Sequence, residues 1–208
     1  MLVFFKPNLA FLSVPKTGST AYALALRKRA DIAFTKGVKH MTVGKYHAKF
    51  APFLKDTYGL TPERFAVIRD PIDHARSWYK YRSPQRMDPK APTCHGGVSF
   101  DDYMLDAISP RPSKAAGIGS QASFLSLEVG DVPVDHLFAY DRQDLLQGFI
   151  EARFRHRVEP QPKNVSPKVE AVLSPDVEAA FRAARPADFA LYDRVAAAGG
   201  VLREFHSS

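Results

Sequence analysis

The sequence predicts an α/β protein built on a mostly parallel sheet. Apolar runs of strand length alternate with longer segments of helical spacing, an order that is typical of parallel sheets covered by helices. Two of these runs, at 8–14 and 64–69, lead directly into a polar turn and a helix. The chain has 208 residues, 45% of them hydrophobic and 25% charged, which fits one folded domain over residues 1–208.

The first half of the chain contains three predicted strands, each followed by a helix or a turn. The run at 8–14 lies between two prolines, and its continuous apolar character is typical of a strand buried on both faces. The next segment has no helix breaker, and Gly18 and Ser19 supply a turn and an N-cap. In order, we predict a strand at 8–14, a helix at 19–30, a strand at 31–35, a helix at 42–58, a strand at 64–69 and a helix that begins at Asp70-Pro71.

The second half continues the same alternation. Pro-rich stretches at 83–92, 110–113 and 160–167 are interpreted as loops and not as domain linkers. Between and after them we predict helices at 100–108 and 121–127, a strand at 136–140, a helix at 142–154 and two short helices within 175–198 that are split near Pro186.

Composition narrows the function without deciding it. Cys94 is the single cysteine, so no internal disulfide can form, and no His, Cys and acidic grouping has the spacing of a zinc site. The apolar start is interrupted by Lys6-Pro7-Asn8, and no run reaches the length of a membrane span, so we expect a cytoplasmic protein. The net charge of +7 favours anionic ligands, and a nucleotide, nucleic acid, an acidic sugar, a membrane surface and a solvated basic face all stay open.

A short polar turn after the first predicted strand has the features of a phosphate-binding site. A helix N-terminus offers unpaired N–H groups and a positive dipole end, Gly18 lets the backbone approach a ligand, and Lys16 adds a cation. The turn is too short for a Walker A loop and suits one phosphate with a further group attached, although a polar loop that only caps the helix has the same composition. The candidate residues are Pro15, Lys16, Thr17, Gly18, Ser19 and Thr20.

A second candidate anion site follows the strand at 64–69. Arg69 stands at the C-terminal end of this strand, and Ser77 lies two helical turns farther on. Ligands of open α/β sheets bind in the crevice outside the carboxyl ends of the strands. Arg69 is therefore expected to bind a phosphate through its guanidinium, with Ser77 donating to the same group.

Together the two segments resemble the signature segments of the sulfotransferases that use 3′-phosphoadenosine 5′-phosphosulfate (PAPS). Segment 15–20 resembles their 5′-phosphosulfate loop, and Arg69-Asp70-Pro71 through Ser77 resembles their 3′-phosphate segment, in the same order and at a fitting separation. Thr17-Gly18 stands where the cytosolic phenol and steroid enzymes usually carry a tryptophan, so the chain is more similar to the carbohydrate and Golgi-type enzymes and their bacterial relatives. The resemblance implies a P-loop-type three-layer α/β/α fold, PAPS as donor, adenosine 3′,5′-bisphosphate (PAP) as product and no required metal.

Weaker similarity extends along the rest of the chain. It covers the segments 39–42, 121–125, 138–145, 164–166 and 189–195. By the same resemblance, Asn164, Ser166 and Lys168 belong to a loop that closes over the nucleotide. Trp78, Tyr79 and Tyr81 lie beside Arg76, Lys80 and Arg82. They are open to two interpretations, a surface for sugar or nucleic acid or a set of side chains of which half face the core.

Two residues receive catalytic roles. Sulfuryl transfer resembles phosphoryl transfer, in which alignment and charge stabilisation dominate. Lys16 is expected to neutralise charge on the bridging oxygen as PAP leaves. His40 is the preferred general base for the acceptor, as in some carbohydrate sulfotransferases, and His47 is a second candidate. His74 is expected to belong to a local side-chain network.

Two other functions share part of this pattern. A P-loop kinase or related transferase would explain the strand, turn and helix, but the chain lacks a full Walker A loop and an evident magnesium-binding acidic strand end. A polyanion-binding module would use the basic segment 76–86 and bind in a strongly salt-dependent way. On the sulfotransferase interpretation the acceptor is a hydroxyl or amine of a carbohydrate or small metabolite, and no nucleic acid partner is expected. The sequence predicts neither which molecule is the acceptor nor the oligomeric state.

Overall fold

A six-stranded sheet runs through the part of the chain that the computed structural model describes, residues 1–128, 131–161 and 167–203. Its strands are β1 (Leu2–Phe4), β2 (Leu9–Leu12), β3 (Ile32–Ala33), β4 (Glu63–Ile68), β5 (His136–Ala139) and β6 (Val201–Leu202). Their order across the sheet is β3-β1-β2-β4-β5-β6.

The centre of the sheet is parallel and its outer pairings are antiparallel. β4 lies between β2 and β5 and runs parallel to both, with Phe65 level with Phe11 on one side and with His136 on the other. β1 pairs antiparallel with β2 and β3, and β6 pairs antiparallel with β5. The predicted α/β class is confirmed, and the sheet is mixed with a parallel core.

The sequence prediction does not include β1 or β6. β1 has only three residues, and a tight turn returns the chain into β2, where the N–H of Asn8 donates to the carbonyl of Phe5 over 3.0 Å. Asn8 has a φ of 52°, a left-handed conformation in which Asn is enriched among non-glycine residues. β6 has two residues and is defined by its pairing with β5. β3 is equally short, and it lies within the strand predicted at 31–35.

The helices agree with the prediction in position more closely than in length. The segment predicted as one helix at 42–58 contains a π-helical turn, Tyr46–Phe50. The first helix ends before the predicted residue 30, because a 3₁₀ turn, Arg27–Arg29, follows it. The helices are α1 (Ser19–Leu26), α2 (Val43–Lys45), α3 (Ala51–Tyr58), α4 (Pro71–Tyr81), α5 (Phe100–Ala107), α6 (Gln121–Leu125), α7 (Gln143–Phe154), α8 (Pro175–Ala184) and α9 (Pro186–Ala197).

The strands divide their side chains between two apolar clusters. Ala10, Leu12 and Ile68 belong to the first cluster, together with residues of α2, α3, α6 and α9. Phe11 and Phe65 belong to the second, together with residues of α1 and α7. Alternation along a strand sends successive side chains to opposite faces, so the central strands are buried on both sides, as their continuous apolar runs predict.

Helix α4 starts directly at the end of β4. The carboxylate of Asp70 accepts hydrogen bonds from the N–H groups of Ile72 and Asp73, both over 2.9 Å, which makes Asp70 the N-cap. Pro71 occupies the first turn, where its missing N–H costs nothing. This cap fixes the direction in which α4 leaves the sheet, and with it the positions of Ser77, Trp78 and Tyr81.

Candidate functional site

A cleft of about 660 Å³ opens at the carboxyl edge of the parallel strands. Lys16 follows β2, Arg69 follows β4 and Tyr140 follows β5, and all three line the cleft. Strands that run parallel end at the same edge of a sheet, which is why residues distant in the sequence meet here.

The cleft gathers most of the residues that the sequence singled out. Of the nine predicted site residues, all but Thr17 line it: Pro15, Lys16, Gly18, Ser19, Thr20, His40, Arg69 and Ser77. The remaining described residues of its lining are Ala21, Tyr22, Lys39, Trp78, Tyr81, Tyr140, Gln143 and Pro160. The two predicted anion-binding segments therefore share one cleft, while their roles as ligand-binding residues stay predictions.

The loop between β2 and α1 has a backbone that demands a small residue at Gly18. Gly18 is the N-cap of α1 and has a φ of 71°, and Lys16 has a φ of 63°. A Cβ at Gly18 would lie 2.8 Å from Cε2 of Tyr140, a distance far inside van der Waals contact. Glycine is thus required both by the left-handed backbone and by the close approach of Tyr140.

Two hydroxyls close the loop from within. Thr17 and Ser19 both donate to the carbonyl of Val14, over 3.0 and 2.9 Å, and both are buried. The side chain of Thr17 therefore shapes the loop and does not line the cleft, and a contact of Thr17 with a ligand stays a prediction. Ser19 is the first residue of the helix and not its N-cap, so the N-terminus of α1 has no capping side chain. The N–H of Ala21 donates to the carbonyl of Gly18 over 3.0 Å.

His74 fixes the loop from helix α4. Its Nε2 lies 3.0 Å from the carbonyl of Pro15, and its side chain is buried. Burial is the main cause that lowers the pKa of His74 to about 4. The positive charges of Arg69 and Lys16 lower this pKa further, and the hydrogen bond to Pro15 opposes them. His74 is therefore neutral at physiological pH and donates from Nε2 to the backbone carbonyl of Pro15, while the predicted network of side chains on α4 stays a prediction.

Lys16 is a cation with no acidic neighbour in the described lining. Its Nζ lies 4.1 Å from the ring centroid of Tyr81 and 5.8 Å from that of Trp78. Burial lowers the pKa of Lys16 to about 8, and the positive charges of Arg86, Arg69 and Arg82 contribute to the depression. Since the described lining of the cleft contains no Asp or Glu, a bound anion would supply the compensating charge.

Arg69 is held by its backbone and by an aromatic ring. Gln121 accepts from the Arg69 N–H over 2.9 Å and donates to its carbonyl over 2.7 Å. The guanidinium carbon lies 4.5 Å from the ring centroid of Tyr140, and Nε is buried without a hydrogen-bond partner in the described residues. An Arg placed in this way, with Ser77 on the same cleft, is suited to bind an oxyanion.

His40 has the orientation of a base. Its Nδ1 lies 2.6 Å from the carbonyl of Ser13, an acceptor that requires Nδ1 to carry the proton and leaves the lone pair on Nε2. Burial lowers the pKa of His40, the hydrogen bond to Ser13 opposes this effect, and the positive charges of Lys39 and of the N-terminus lower it further. The predicted alternative, His47, does not line the cleft; its Nε2 accepts from Arg64 over 2.6 Å.

Several residues on the cleft were not predicted as site residues. Lys39 donates from Nζ to the hydroxyl of Thr20 over 2.8 Å, and its place before His40 was the available signal. Tyr140 ends β5, so the rule for ligands at strand ends could have identified it. Gln143 donates to the carbonyl of Tyr140 and accepts from the hydroxyl of Tyr22 over 2.8 Å, a bridge that no sequence pattern indicates.

The aromatic side chains of 78–81 are partly on the cleft and partly in the core, so each of the two interpretations of this segment holds for some of them. Trp78 and Tyr81 line the cleft, whereas Tyr79 is buried and stacks on His95 at a centroid distance of 4.2 Å. Arg82 lies under Trp78, 4.4 Å from its ring centroid, and donates to the carbonyl of Ala115 over 2.7 Å. The wall of the cleft formed by α4 is therefore aromatic, and the buried guanidinium of Arg82 lies behind it.

No protein-family model and no curated protein matches the chain. Of the predicted nucleotide-covering loop, Asn164 and Ser166 lie outside the described residues, and Lys168 is exposed. Among residues 1–128, 131–161 and 167–203, no group of three or more His, Cys, Asp or Glu side chains is placed to hold a metal ion, and that transfer needs no metal stays a prediction. No described helix has the length and apolar character needed to cross a bilayer.

Proposed function

We propose that the chain is a sulfotransferase that moves a sulfuryl group from PAPS to a hydroxyl or amine acceptor. One observation carries the proposal: Lys16 and Arg69, from two segments that resemble the donor-binding segments of this family, line a single cleft. If the two side chains lay on different surfaces, a single donor molecule could not bind to both of them.

The cleft has groups that fit each anionic part of the donor. The N-terminus of α1, with Gly18 and Thr20 at its start, suits the 5′-phosphate. Arg69, whose buried Nε has no partner in the described residues, suits the 3′-phosphate together with Ser77. The volume of about 660 Å³ is in the usual range for small-molecule sites.

The P-loop-like, three-layer arrangement that the resemblance implies is part of the proposal. Two features support it: the turn between β2 and α1, and the two apolar clusters that cover the central strands. The antiparallel strands β1 and β6 are additions to this plan at the flanks of the parallel core.

When bound, PAPS would supply the sulfuryl group and leave as PAP. Lys16, a cation in a partly buried cleft, is placed to stabilise the charge that grows on the leaving side. Its depressed pKa of about 8 leaves it mostly protonated at neutral pH, and a bound anion would raise the pKa further. Lys39, joined to the same loop through Thr20, adds a second positive charge to the cleft.

His40 would take the proton from the acceptor. Its Nδ1 is committed to the carbonyl of Ser13, so Nε2 is the nitrogen that can accept a proton. Because burial lowers its pKa below the ordinary value of 6.5, His40 is neutral at physiological pH and ready to act as a base. Ser13 is the positioning partner, since its carbonyl selects the tautomer of the ring.

The two alternative functions make different demands on the cleft. ATP chemistry normally places a magnesium-binding carboxylate beside the phosphates, and the described lining contains none. A polyanion-binding module does not require one cleft that brings Lys16 and Arg69 together beside the turn between β2 and α1. Both alternatives remain as outcomes of the binding experiment that follows.

Calorimetric titration with PAP, ATP and adenosine 5′-monophosphate tests the proposal. We expect tight binding of PAP alone, and we expect Arg69→Ala to remove the preference for the 3′-phosphate. Arg76→Ala is the matched control, because Arg76 lies on α4, pairs with Asp73 and does not line the cleft. Equal affinity for the three nucleotides would contradict the proposal, and a preference for ATP would favour the kinase.

A further inference from the structure

A chain of aromatic rings in mutual contact runs along α3 beside β3, the strand at one edge of the sheet. Phe34, which directly follows β3, contacts Phe50 edge-to-face at a centroid distance of 4.9 Å. Phe53 contacts Phe50 and Tyr58, both at 5.7 Å. Tyr58 in turn contacts Phe5 at 4.8 Å. These five residues are called the aromatic face below.

The aromatic face is anchored in the core and reaches the solvent. Phe5, Phe34 and Phe50 are partly buried and pack against the first apolar cluster, which holds them in place. Phe53 and Tyr58 keep 44% and 48% of their surface exposed. Single exposed apolar residues are normal in folded proteins, whereas a contiguous group of them is typical of an interaction surface.

The positive charge of the protein is concentrated in the part of the chain that forms this face. Residues 1–60 contain ten Lys and Arg, two Asp and no Glu, whereas the whole chain has 29 basic and 22 acidic residues. The rest of the chain therefore has 19 basic and 20 acidic residues, so the whole excess of +7 comes from residues 1–60. Two of the ten basic residues, Lys16 and Lys39, line the cleft, and the other eight do not.

Three exposed lysines flank the aromatic face. Lys6 and Lys49 are each the chain neighbour of a ring of the face, and Lys55 lies one helical turn from another ring on α3. Lysine stems can lie along apolar surface while their ammonium groups stay in a polar layer. Of the two acidic residues in this part of the chain, Asp56 follows Lys55, and Asp31 accepts a hydrogen bond from the backbone over 2.7 Å. The flanks of the face are therefore mainly cationic.

We propose that the aromatic face and its flanking lysines dock on a membrane surface that contains anionic phospholipids. Aromatic rings insert at the boundary between headgroups and acyl chains, and lysines beside them are attracted to anionic headgroups. A second copy of the chain is a poor occupant, because two faces of the same positive charge repel each other. A polyanionic polysaccharide would pair with the lysines but would give the phenylalanine rings no apolar partner. Docking by this face is independent of the reaction that the cleft performs.

Sedimentation with lipid vesicles tests the apolar part of the proposal. Wild-type protein should bind vesicles of phosphatidylcholine with phosphatidylserine about tenfold more tightly than vesicles of phosphatidylcholine alone. The double variant Phe53→Ser with Tyr58→Ser should bind the mixed vesicles about tenfold more weakly, because it removes the exposed rings. The matched control is Leu24→Ser with Leu105→Ser, since these leucines are 48% and 46% exposed on α1 and α5, and it should bind like wild type.

The electrostatic part has its own pair of variants. Lys49→Ala with Lys55→Ala should weaken binding to the mixed vesicles by roughly 10- to 30-fold, and added salt should weaken the binding of wild-type protein. Lys90→Ala with Lys114→Ala removes the same charge from two exposed loop positions outside residues 1–60 and should have little effect. Equal losses in the two variants would show that net charge alone attracts the protein, which would overturn the proposal.

Hydrogen exchange of the wild-type protein decides the question even if a variant does not fold. Mixed vesicles should slow the exchange of backbone amides in 49–58 and leave those of α5 unchanged. No binding to the mixed vesicles, or slowing that is confined to other segments, would overturn the proposal. It would also be overturned by binding of heparin through Lys49 and Lys55 without binding of vesicles, which would identify a polyanion site, or by a dimer that Phe53→Ser with Tyr58→Ser dissociates. None of these measurements needs a nucleotide, so a failure to bind PAP would refute the proposed function alone.

Discussion

Replacing Gly18 by alanine tests whether the loop between β2 and α1 and Arg69 are coupled through Tyr140. The new Cβ has two consequences, since Gly18 has a φ of 71° and its Cβ would lie 2.8 Å from Tyr140 Cε2. The left-handed backbone alone costs about 1–2 kcal/mol for a non-glycine residue. The contact adds an overpacking cost of about 1–3 kcal/mol unless the Tyr140 ring moves away.

The two costs can be separated with Gly59→Ala. Gly59 has a φ of 65°, close to that of Gly18, and a Cβ there meets nothing within 4 Å, so this variant carries the backbone cost alone. For a chain of this size each 1 kcal/mol lowers Tm by about 2–4 °C. We therefore expect Gly59→Ala to lose about 2–8 °C and Gly18→Ala to lose measurably more in a calorimetric melt.

Binding of PAP gives the second readout. If the ring of Tyr140 moves to relieve the contact, Arg69 loses the surface on which its guanidinium rests, 4.5 Å from the ring centroid. A cation–π contact in a partly buried site is worth about 1–2 kcal/mol, so the affinity of Gly18→Ala for PAP should fall roughly tenfold. Gly59→Ala should keep the wild-type affinity. Equal melting temperatures and equal PAP affinities for the two variants would refute the coupling.

Three further predictions concern single side chains. His40→Ala should abolish transfer and leave PAP affinity unchanged. Because burial lowers the pKa of His40 below 6.5, the kcat of the wild-type protein should fall only as the pH drops below that value. If residual kcat of the variant still falls at acidic pH in the same way, His40 is not the base. Lys16→Met should lower the transfer rate by about 10²–10³-fold with little change in Tm. In the wild-type protein the affinity for PAP, followed by calorimetry, should weaken as the pH rises through about 8, where Lys16 loses its proton. If the PAP affinity of Lys16→Met weakens over the same pH range, this assignment is contradicted. Asp135→Asn should cost about 3–5 kcal/mol in a denaturant titration, because it leaves the partly buried Arg64, which binds Asp135 over 2.8 Å, without its counter-ion. Unchanged stability would show that the pair is not needed.

The prediction of the fold succeeded where the chain has long, uniform elements. β2, β4 and β5 were identified because their continuous apolar runs report burial on both faces. β1 and β6, strands of three and two residues, were missed, whereas the equally short β3 lies within the predicted strand at 31–35. The direction of an edge strand is decided by its partner, so the antiparallel flanks could not be derived from local sequence.

For the site as well, the sequence predicted what depends on neighbouring residues and not what depends on the folded structure. Lys16 and Arg69 could be located because each stands in a turn directly after a predicted strand. Thr17 and Ser19 were both assigned as donors to the ligand, and the hydroxyls of both donate to the carbonyl of Val14 inside the loop. Composition does not tell an inward hydroxyl from an outward one, because the choice depends on the φ values of Lys16 and Gly18, which only the folded loop defines.

The charge of the cleft shows why net charge alone could not locate it. The excess of +7 is compatible with a basic face anywhere on the surface. The described lining of the cleft brings together Lys16, Lys39 and Arg69 without a carboxylate, although the chain has 22 acidic residues. Elsewhere arginines bind carboxylates, as Arg64 binds Asp135 over 2.8 Å. Cations gathered without counter-ions oppose folding, so this cluster is best explained by an anionic ligand that completes it, the condition on which the proposed donor site depends.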